Sequence, residues 1–409
     1  MILEKDKQII RELAKRYMAI VTTEKQRKMK QRFCDTNDLK AGRPPVILHE
    51  IPWYQMDIDG ELTCLCEDKR ARDVETWFRQ KLFYLKHFKA DNLFEPFFRI
   101  KKSVDSTGIG FKENANIKRT DGKNNIVSHE YEDLLEDESA LELFHDPEFT
   151  LRPDKDAEKL EYFTELFGDT IPIKFYGYAY LYHAPWDKLV RFRGVEPILM
   201  DMYDRPEYLH AIMQKYISAT LAELDFVEKN LDVDNDVADL HCTPANISGR
   251  ADKGLKATWY RGMAQSFGVV SPAMFKEFEV DYIKPIAERF AYTYYGCCEP
   301  LDDRISIIKD IANLRKIGCS PWAKVEACAE QIGKNYVLAR KPNPANVAIL
   351  TDPEVISREV EETVKACIKY GCPYDYVLKD ISTVSNRPEN LIVWAKTVSD
   401  VLDKYYGED

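Results

Sequence analysis

No uninterrupted apolar run among the 409 residues is long enough to span a bilayer. The opening Met1-Ile-Leu-Glu-Lys-Asp-Lys-Gln puts charges where a signal peptide carries its apolar core, so the chain is expected to be cytoplasmic, off the membrane. A basic excess is lacking too. Lys and Arg number 58 against 69 Asp and Glu, a formal charge of −11, which speaks against nucleic acid or an anionic membrane as partner. Cysteine is scarce at 10 residues, too few for a disulfide scaffold, so most should be buried thiols and a few clustered ones could be ligands. Neither Cys-x-x-Cys nor a Gly-x-Gly-x-x-Gly after a strand occurs, which removes the simplest zinc and dinucleotide signatures. What remains, 45% apolar and 31% charged residues, is the composition of a folded globular protein.

The chain divides near residue 40. Ile9, Leu13, Tyr17 and Ile20 recur at helical spacing, so residues 1–40 read as a helical extension that covers a barrel end or meets another subunit; the latter would make a homodimer. Gly42-Arg43-Pro44-Pro45 breaks the pattern, and Val46-Ile47-Leu48 is a short apolar run of the kind buried on both faces of a parallel sheet. Eight strand candidates, near residues 46, 95, 173, 239, 294, 317, 338 and 377, then alternate with helical stretches. Such alternation implies βαβ units, and this number suggests one closed (β/α)8 TIM barrel over residues 41–409. Residues near 101–150 interrupt it with an inserted hairpin, turning at Thr120-Asp121-Gly122-Lys123, and a helix over the barrel mouth. The acidic run at 130–138 reads as a solvated helix face.

Barrel chemistry sits at the C-terminal ends of strands, which makes a shortlist. It holds His49 and Glu50; Glu95 and Arg99; Tyr176, Tyr178 and Tyr180; His241-Cys242; Tyr295-Gly296-Cys297-Cys298-Glu299; Cys319-Ser320-Pro321-Trp322; Lys341-Pro342-Asn343; and Lys379-Asp380. His241, Cys242, Cys297, Cys298 and Cys319 fall on three consecutive candidate ends. Thiolate and imidazole are the ligands zinc prefers, although cysteines are equally common as buried packing. His49 and Glu50 read as an acid/base pair, as ligands, or as a hydrogen-bonded pair closing the strand. Tyr176, Tyr178 and Tyr180 share one side of a strand, as a substrate wall or as barrel filling. Arg261 reads as part of a loop after the fourth strand, where it could grip a carboxylate or make a surface ion pair. Cys64 and Cys66, and likewise Cys328, Cys367 and Cys372, read as packing away from the chemistry.

Three stretches resemble the uroporphyrinogen decarboxylase superfamily: Gly42-Arg43-Pro44-Pro45-Val46; Phe267 to Phe278 with Ser271-Pro272, then Tyr282-Ile283-Lys284-Pro285-Ile286; and Arg387-Pro388-Glu389-Asn390-Leu391. The resemblance runs from about residue 40 to the C-terminus and implies a (β/α)8 barrel. Where the decarboxylase proper grips a polycarboxylate with arginines, this chain has His49-Glu50-Ile51-Pro52-Trp53-Tyr54. The other branch, the corrinoid-dependent methyltransferases, is the nearer likeness. It implies zinc at the barrel mouth and methyl exchange with a separate corrinoid protein docked there. Tyr295-Gly296-Cys297 occupies that branch's His-x-Cys slot with Tyr295 in place of histidine, and no cysteine stands near Asp380-Ile381-Ser382, where its third ligand falls.

On this resemblance the expected metal ligands are Cys297 and Cys298, completed by His241, Glu299 or Cys319. His49, Glu50 and Tyr295 are the catalytic candidates, and Tyr176, Tyr178, Arg261, Trp322, Asn343 and Asp380 would line the pocket of a small methoxylated or methylated substrate. One rival is a decarboxylase of a uroporphyrinogen-like or smaller carboxylated compound, with Arg99 or Arg261 in its pocket. The other is a non-catalytic barrel that binds a small molecule.

Overall fold

The computed structural model describes residues 2–118, 127–249, 253–349 and 351–407. Its centre is a curled sheet of seven parallel strands: β1 (Val46–Leu48), β2 (Leu181–His183), β3 (Trp259–Gly262), β4 (Tyr292–Tyr295), β5 (Leu314–Cys319), β6 (Val337–Arg340) and β7 (Tyr374–Leu378). Neighbours run β1-β7-β6-β5-β4-β3-β2, so all but β1 pair with their neighbours in chain order. β1 closes against β7 in the register Val46–Tyr376, Ile47–Val377, Leu48–Leu378. Helices between successive strands cover the outer face, which is the α/β arrangement that short apolar runs separated by amphipathic helices dictate. Among the described residues no helix is long and apolar enough to cross a membrane.

Alternation along the strands sorts side chains to two faces. Tyr260, Tyr295, Ile317, Cys319, Leu338, Tyr376 and Leu378 point outward into the core shared with the helices. Trp259, Tyr294 and Ala339 point inward, and so by parity do Arg261, Lys316 and Asp375. The interior is filled by a short antiparallel hairpin, Asp239–Leu240 against Thr243–Pro244. Leu240 packs on Trp259, Tyr294 and Ala339, while Cys242 packs on Ile47 and Val377.

Here the structure departs from the eight-strand expectation. The stretch near 239 is this hairpin and not a strand of the main sheet. The stretches near 95 and 173 form Phe98–Lys101 and Ile173–Tyr176, which pair with each other in a separate parallel sheet. Their slots in the main sheet go to β2 and β3. Arg261, expected in a loop, is inside β3, where every residue is buried. A charged residue in a four-residue run masks the strand's apolar character.

The free edge of β1 is satisfied without a neighbouring strand. Asp91 Oδ2 accepts from the Val46 N–H at 2.9 Å, and Asn92 Oδ1 from the Leu48 N–H at 3.0 Å. The Asn92 amide returns a bond to the Leu48 carbonyl at 3.0 Å, and the Asp91 N–H one to that of Val46 at 2.6 Å. Two side chains thus do what a strand backbone does in a closed barrel.

The N-terminal extension is two helices, Glu4–Val21 and Glu24–Asn37, divided where Thr22 and Thr23 turn their hydroxyls onto the carbonyls of Met18 and Ile20. The first lays Ile10, Leu13, Ala14 and Tyr17 into the common core, with the Tyr17 ring 5.2 Å from that of Trp77. The insertion contains the expected hairpin strands, Ala115–Lys118 and Ser128–Tyr131; the turn at 120–123 lies outside the described residues. Its helix is a short 3₁₀ turn, Glu138–Leu143; the strand Ser128–Tyr131 packs on the helix Pro185–Arg193 and the turn on the helix Pro206–Asn230. The acidic run is therefore no helix face. Asp133 pairs with Arg193 at 2.8 Å, and Leu135 is buried.

Candidate functional site

Four pieces of backbone deliver side chains to one patch at the C-terminal edge of the sheet. Glu50 follows β1, Cys297 and Cys298 follow β4, Lys379 and Asp380 follow β7, and His241-Cys242 form the tip of the interior hairpin. Glu50, Cys242 and Asp380 all have positive φ, at 52°, 63° and 56°. Three non-glycine residues in this disfavoured region within one cluster is a pattern found at functional sites, where surrounding structure holds the backbone in place.

The donor atoms of Glu50, His241 and Cys242 all lie within 4.8 Å of one another. His241 Nε2 is 3.7 Å from Glu50 Oε1, and Cys242 Sγ is 4.0 Å from the same oxygen. The other glutamate oxygen accepts from the Asp380 N–H at 2.7 Å. Beside this trio, Cys297 Sγ and Cys298 Sγ are 3.7 Å apart, and Lys379 Nζ donates to them at 3.1 and 3.0 Å. The single proton of the Cys298 thiol has two acceptors in reach, Asp380 Oδ2 at 2.8 Å and the Cys297 sulfur. Lys341 Nζ holds the Cys242 carbonyl at 2.6 Å, which fixes the hairpin tip from below.

The electrostatics separate the two adjacent cysteines. The hydrogen bond from Cys298, with help from His241, Arg261 and Lys379, outweighs burial and holds Cys297 well below the usual thiol range. Cys298, facing that charge, is pushed up and stays a thiol. Burial raises the Glu50 carboxyl, and burial with the nearby Cys297 lifts Glu299 to about 7. Glu299 lies under the cluster, nearly enclosed, with Oε2 on the Cys297 N–H at 3.0 Å.

Of the residues expected from sequence, Glu50, His241, Cys297, Cys298 and Asp380 meet here, with Glu299 and Arg261 just behind. Arg261 is fully buried, donates to the Gly262 and His241 carbonyls at 2.9 and 3.4 Å, and lies 4.5 Å from the Tyr294 ring. Two other expectations need correction. Tyr295 points outward and donates to Glu279 at 3.0 Å inside the helix layer. Cys319 also points outward, fully buried, with Arg340 Nη1 at 3.9 Å, and so stands on the far side of the sheet from His241. Both lie at strand ends, but strand parity sends them to the wrong face.

The remaining candidates do not join the cluster. Tyr176 belongs to the separate two-stranded sheet, with Arg99 5.7 Å from its ring, and Tyr178 is buried just beyond that sheet. Trp322 is exposed at the surface, and Asn343 caps the 3₁₀ turn Pro344–Val347. His49 makes no bond to Glu50, and its Nε2 is buried with no hydrogen-bond partner among the described residues. Arg99 is engaged by Glu95, Asp234 and the Asp236 carbonyl, so it has no free fork for a substrate carboxylate. Lys379 stands only in the strand-end shortlist, and Cys242 in its Cys/His group, but the expected ligand set includes neither. Lys379 is set by its register one residue past β7, and Cys242 by the hairpin.

No protein-family model matches the chain, and no curated protein does. A solved structure of a methyltransferase from Methanosarcina mazei is similar in fold, with a TM-score of 0.50 and 13% identity over 92% of this chain and 99% of that one. At that identity the likeness speaks for the architecture alone.

Proposed function

We propose that the cluster at the sheet's C-terminal edge is a zinc site for methyl transfer between a small methylated compound or thiol and a corrinoid carried by a separate protein. The observation that carries this reading is the convergence of Glu50, His241 and Cys242 within 4.8 Å at the mouth of a fold shared with a methyltransferase. The donor set fits the metal: carboxylate, imidazole and thiol are zinc ligands at about 2.0–2.3 Å, and three donors this close can share one ion. Cys297, held well below the usual thiol range, stands beside them as a further candidate ligand. When bound, zinc polarises a leaving heteroatom or lowers the pKa of an accepting thiol.

As the methyl group leaves as a cation equivalent, its former partner atom keeps the bonding pair and needs a proton. Glu50 belongs to the donor set and is needed there as a carboxylate, so the proton comes from solvent at the open mouth. Lys379 keeps the sulfurs from repelling one another, and Asp380 fixes Glu50 through its N–H. The exposed Glu50 and Asp380 rim is where the corrinoid protein would dock.

Elemental analysis of protein purified anaerobically with added zinc tests the reading. Near-stoichiometric zinc, lost in His241→Ala and Cys242→Ala, is the expected result. No zinc in the wild type, or zinc retained in both variants, would overturn it.

A further inference from the structure

Where a closed barrel would set a strand beside β1, this chain has Asp91 and Asn92, and space opens behind them. Two cavities of about 220 and 380 Å³ meet there, bounded in common by Trp77, Lys81, Leu93, Phe94 and Asp239. Joined, they fall within the about 300–1,000 Å³ of small-molecule sites. The smaller lobe runs to His49 and Glu50, the larger to Tyr17 and Phe98.

Trp77 and Lys81 stand four residues apart on the helix Lys69–His87 and therefore share a face. Lys81 Nζ lies 4.8 Å from the Trp77 ring and 4.7 Å from that of Phe94, and it makes no ion pair or hydrogen bond with the described residues. Glu95 also lines the larger lobe but is held by Arg99, and Asp239 stands across the cavity, so no acid is seated directly on the ammonium between its two rings. Burial lowers the Lys81 ammonium to about 8. Two further polar atoms, Asp239 Oδ1 and His49 Nε2, are buried with no partner. Native proteins leave few such groups, and an occupant with hydrogen-bonding ends would satisfy them.

We propose that this two-lobed cavity binds a small monocarboxylate with a flat apolar body, its carboxylate on Lys81 and its body against Trp77, Leu93 and Phe94. Because Glu50 borders both the cavity and the cluster at the mouth, the ligand is the substrate of that cluster; only this last assignment rests on the methyl-transfer reading.

Calorimetric titration of the full chain with benzoate and with its neutral isostere benzamide tests the proposal, on zinc-loaded and on chelator-stripped protein. Benzoate is expected to bind about tenfold or more tightly than benzamide, from one charge-assisted contact, in both preparations. Lys81→Met should abolish that preference and Lys81→Arg keep it, while His241→Ala should leave it unchanged. Equal binding of the two probes, no binding of benzoate, or an undiminished preference in Lys81→Met would overturn the proposal. The comparison of the two probes on wild-type protein decides the matter even if a variant fails to fold. Preference retained by a chain that never takes zinc would overturn the metal reading alone.

Discussion

The Lys379 ammonium donates to the Cys297 sulfur at 3.1 Å, and Cys298 Sγ lies 3.7 Å from the same sulfur. A cation that donates to a buried sulfur favours its anion. In metal-stripped protein, the far-ultraviolet thiolate absorbance should contain a component, absent in Cys297→Ala, that persists well below the ordinary thiol range. Lys379→Met should move that component to higher pH, because it removes the positive charge and leaves the burial. Identical titrations of wild type and Lys379→Met would mean that Lys379 does not set the charge on Cys297.

His183 closes β2 with its ring in the helix layer, Nδ1 2.9 Å from the Tyr260 hydroxyl and Nε2 unpartnered. Burial pushes it down to about 3, so the folded chain keeps the neutral ring while the unfolded chain protonates near 6.5. Between those values the unfolded state binds more protons, and stability falls as pH falls. The contribution is fully present above 6.5 and is lost progressively down to about 3. Lowering the pH from about 7 to about 5 should therefore cost wild type about 2 kcal/mol more than His183→Phe, read by urea denaturation of both. Equal pH dependence in the two proteins would show that His183 is already charged in the fold.

The parts of this architecture legible in the sequence are short runs rich in aliphatic and aromatic residues, even where one or two charged residues such as Lys316 or Asp375 fall inside them. Val46-Ile47-Leu48 and the runs that became β4 to β7 show themselves because both faces are buried. β2, Leu181-Tyr182-His183, escapes because only its first residue is aliphatic and Tyr182 is exposed, and β3 because Arg261 leaves it two apolar residues. The shortlist of strand ends named Glu50, Cys297, Cys298 and Asp380, since chain position alone brings those residues to one edge. It misplaced Tyr295 and Cys319 because it ignores parity. Cys319 lies two residues after Ile317, a core position on the outer face, so period-2 counting would have sent it outward. His241 reached the edge by a route no local pattern encodes, on the tip of a hairpin whose place inside the sheet depends on contacts with residues far along the chain.

Those contacts centre on an enclosed ion pair. Lys316 Nζ and Asp375 Oδ2 are 2.8 Å apart, and neither side chain touches solvent. Lys316 also donates to Thr243 Oγ1 at 2.8 Å and to the Pro244 carbonyl at 3.0 Å, which ties the hairpin to the sheet; Lys341, the next cation, is 3.8 Å from Asp375. Lys316→Met should cost about 3–5 kcal/mol, because it leaves the Asp375 carboxylate buried with a poorer partner. Pairing it with Asp375→Leu should return part of that loss, because an apolar pair replaces the stranded charge. The double variant should thus be more stable than the sum of the two single changes, by about 1–3 kcal/mol in a urea denaturation cycle. Both variants should also bind zinc less tightly, because the hairpin that carries His241 and Cys242 loses its anchor while the donors themselves are unchanged. Additive stabilities would show that Lys316 and Asp375 are not coupled, and unaltered zinc affinity would show that the hairpin is positioned by its apolar contacts with Trp259, Tyr294 and Ala339 alone.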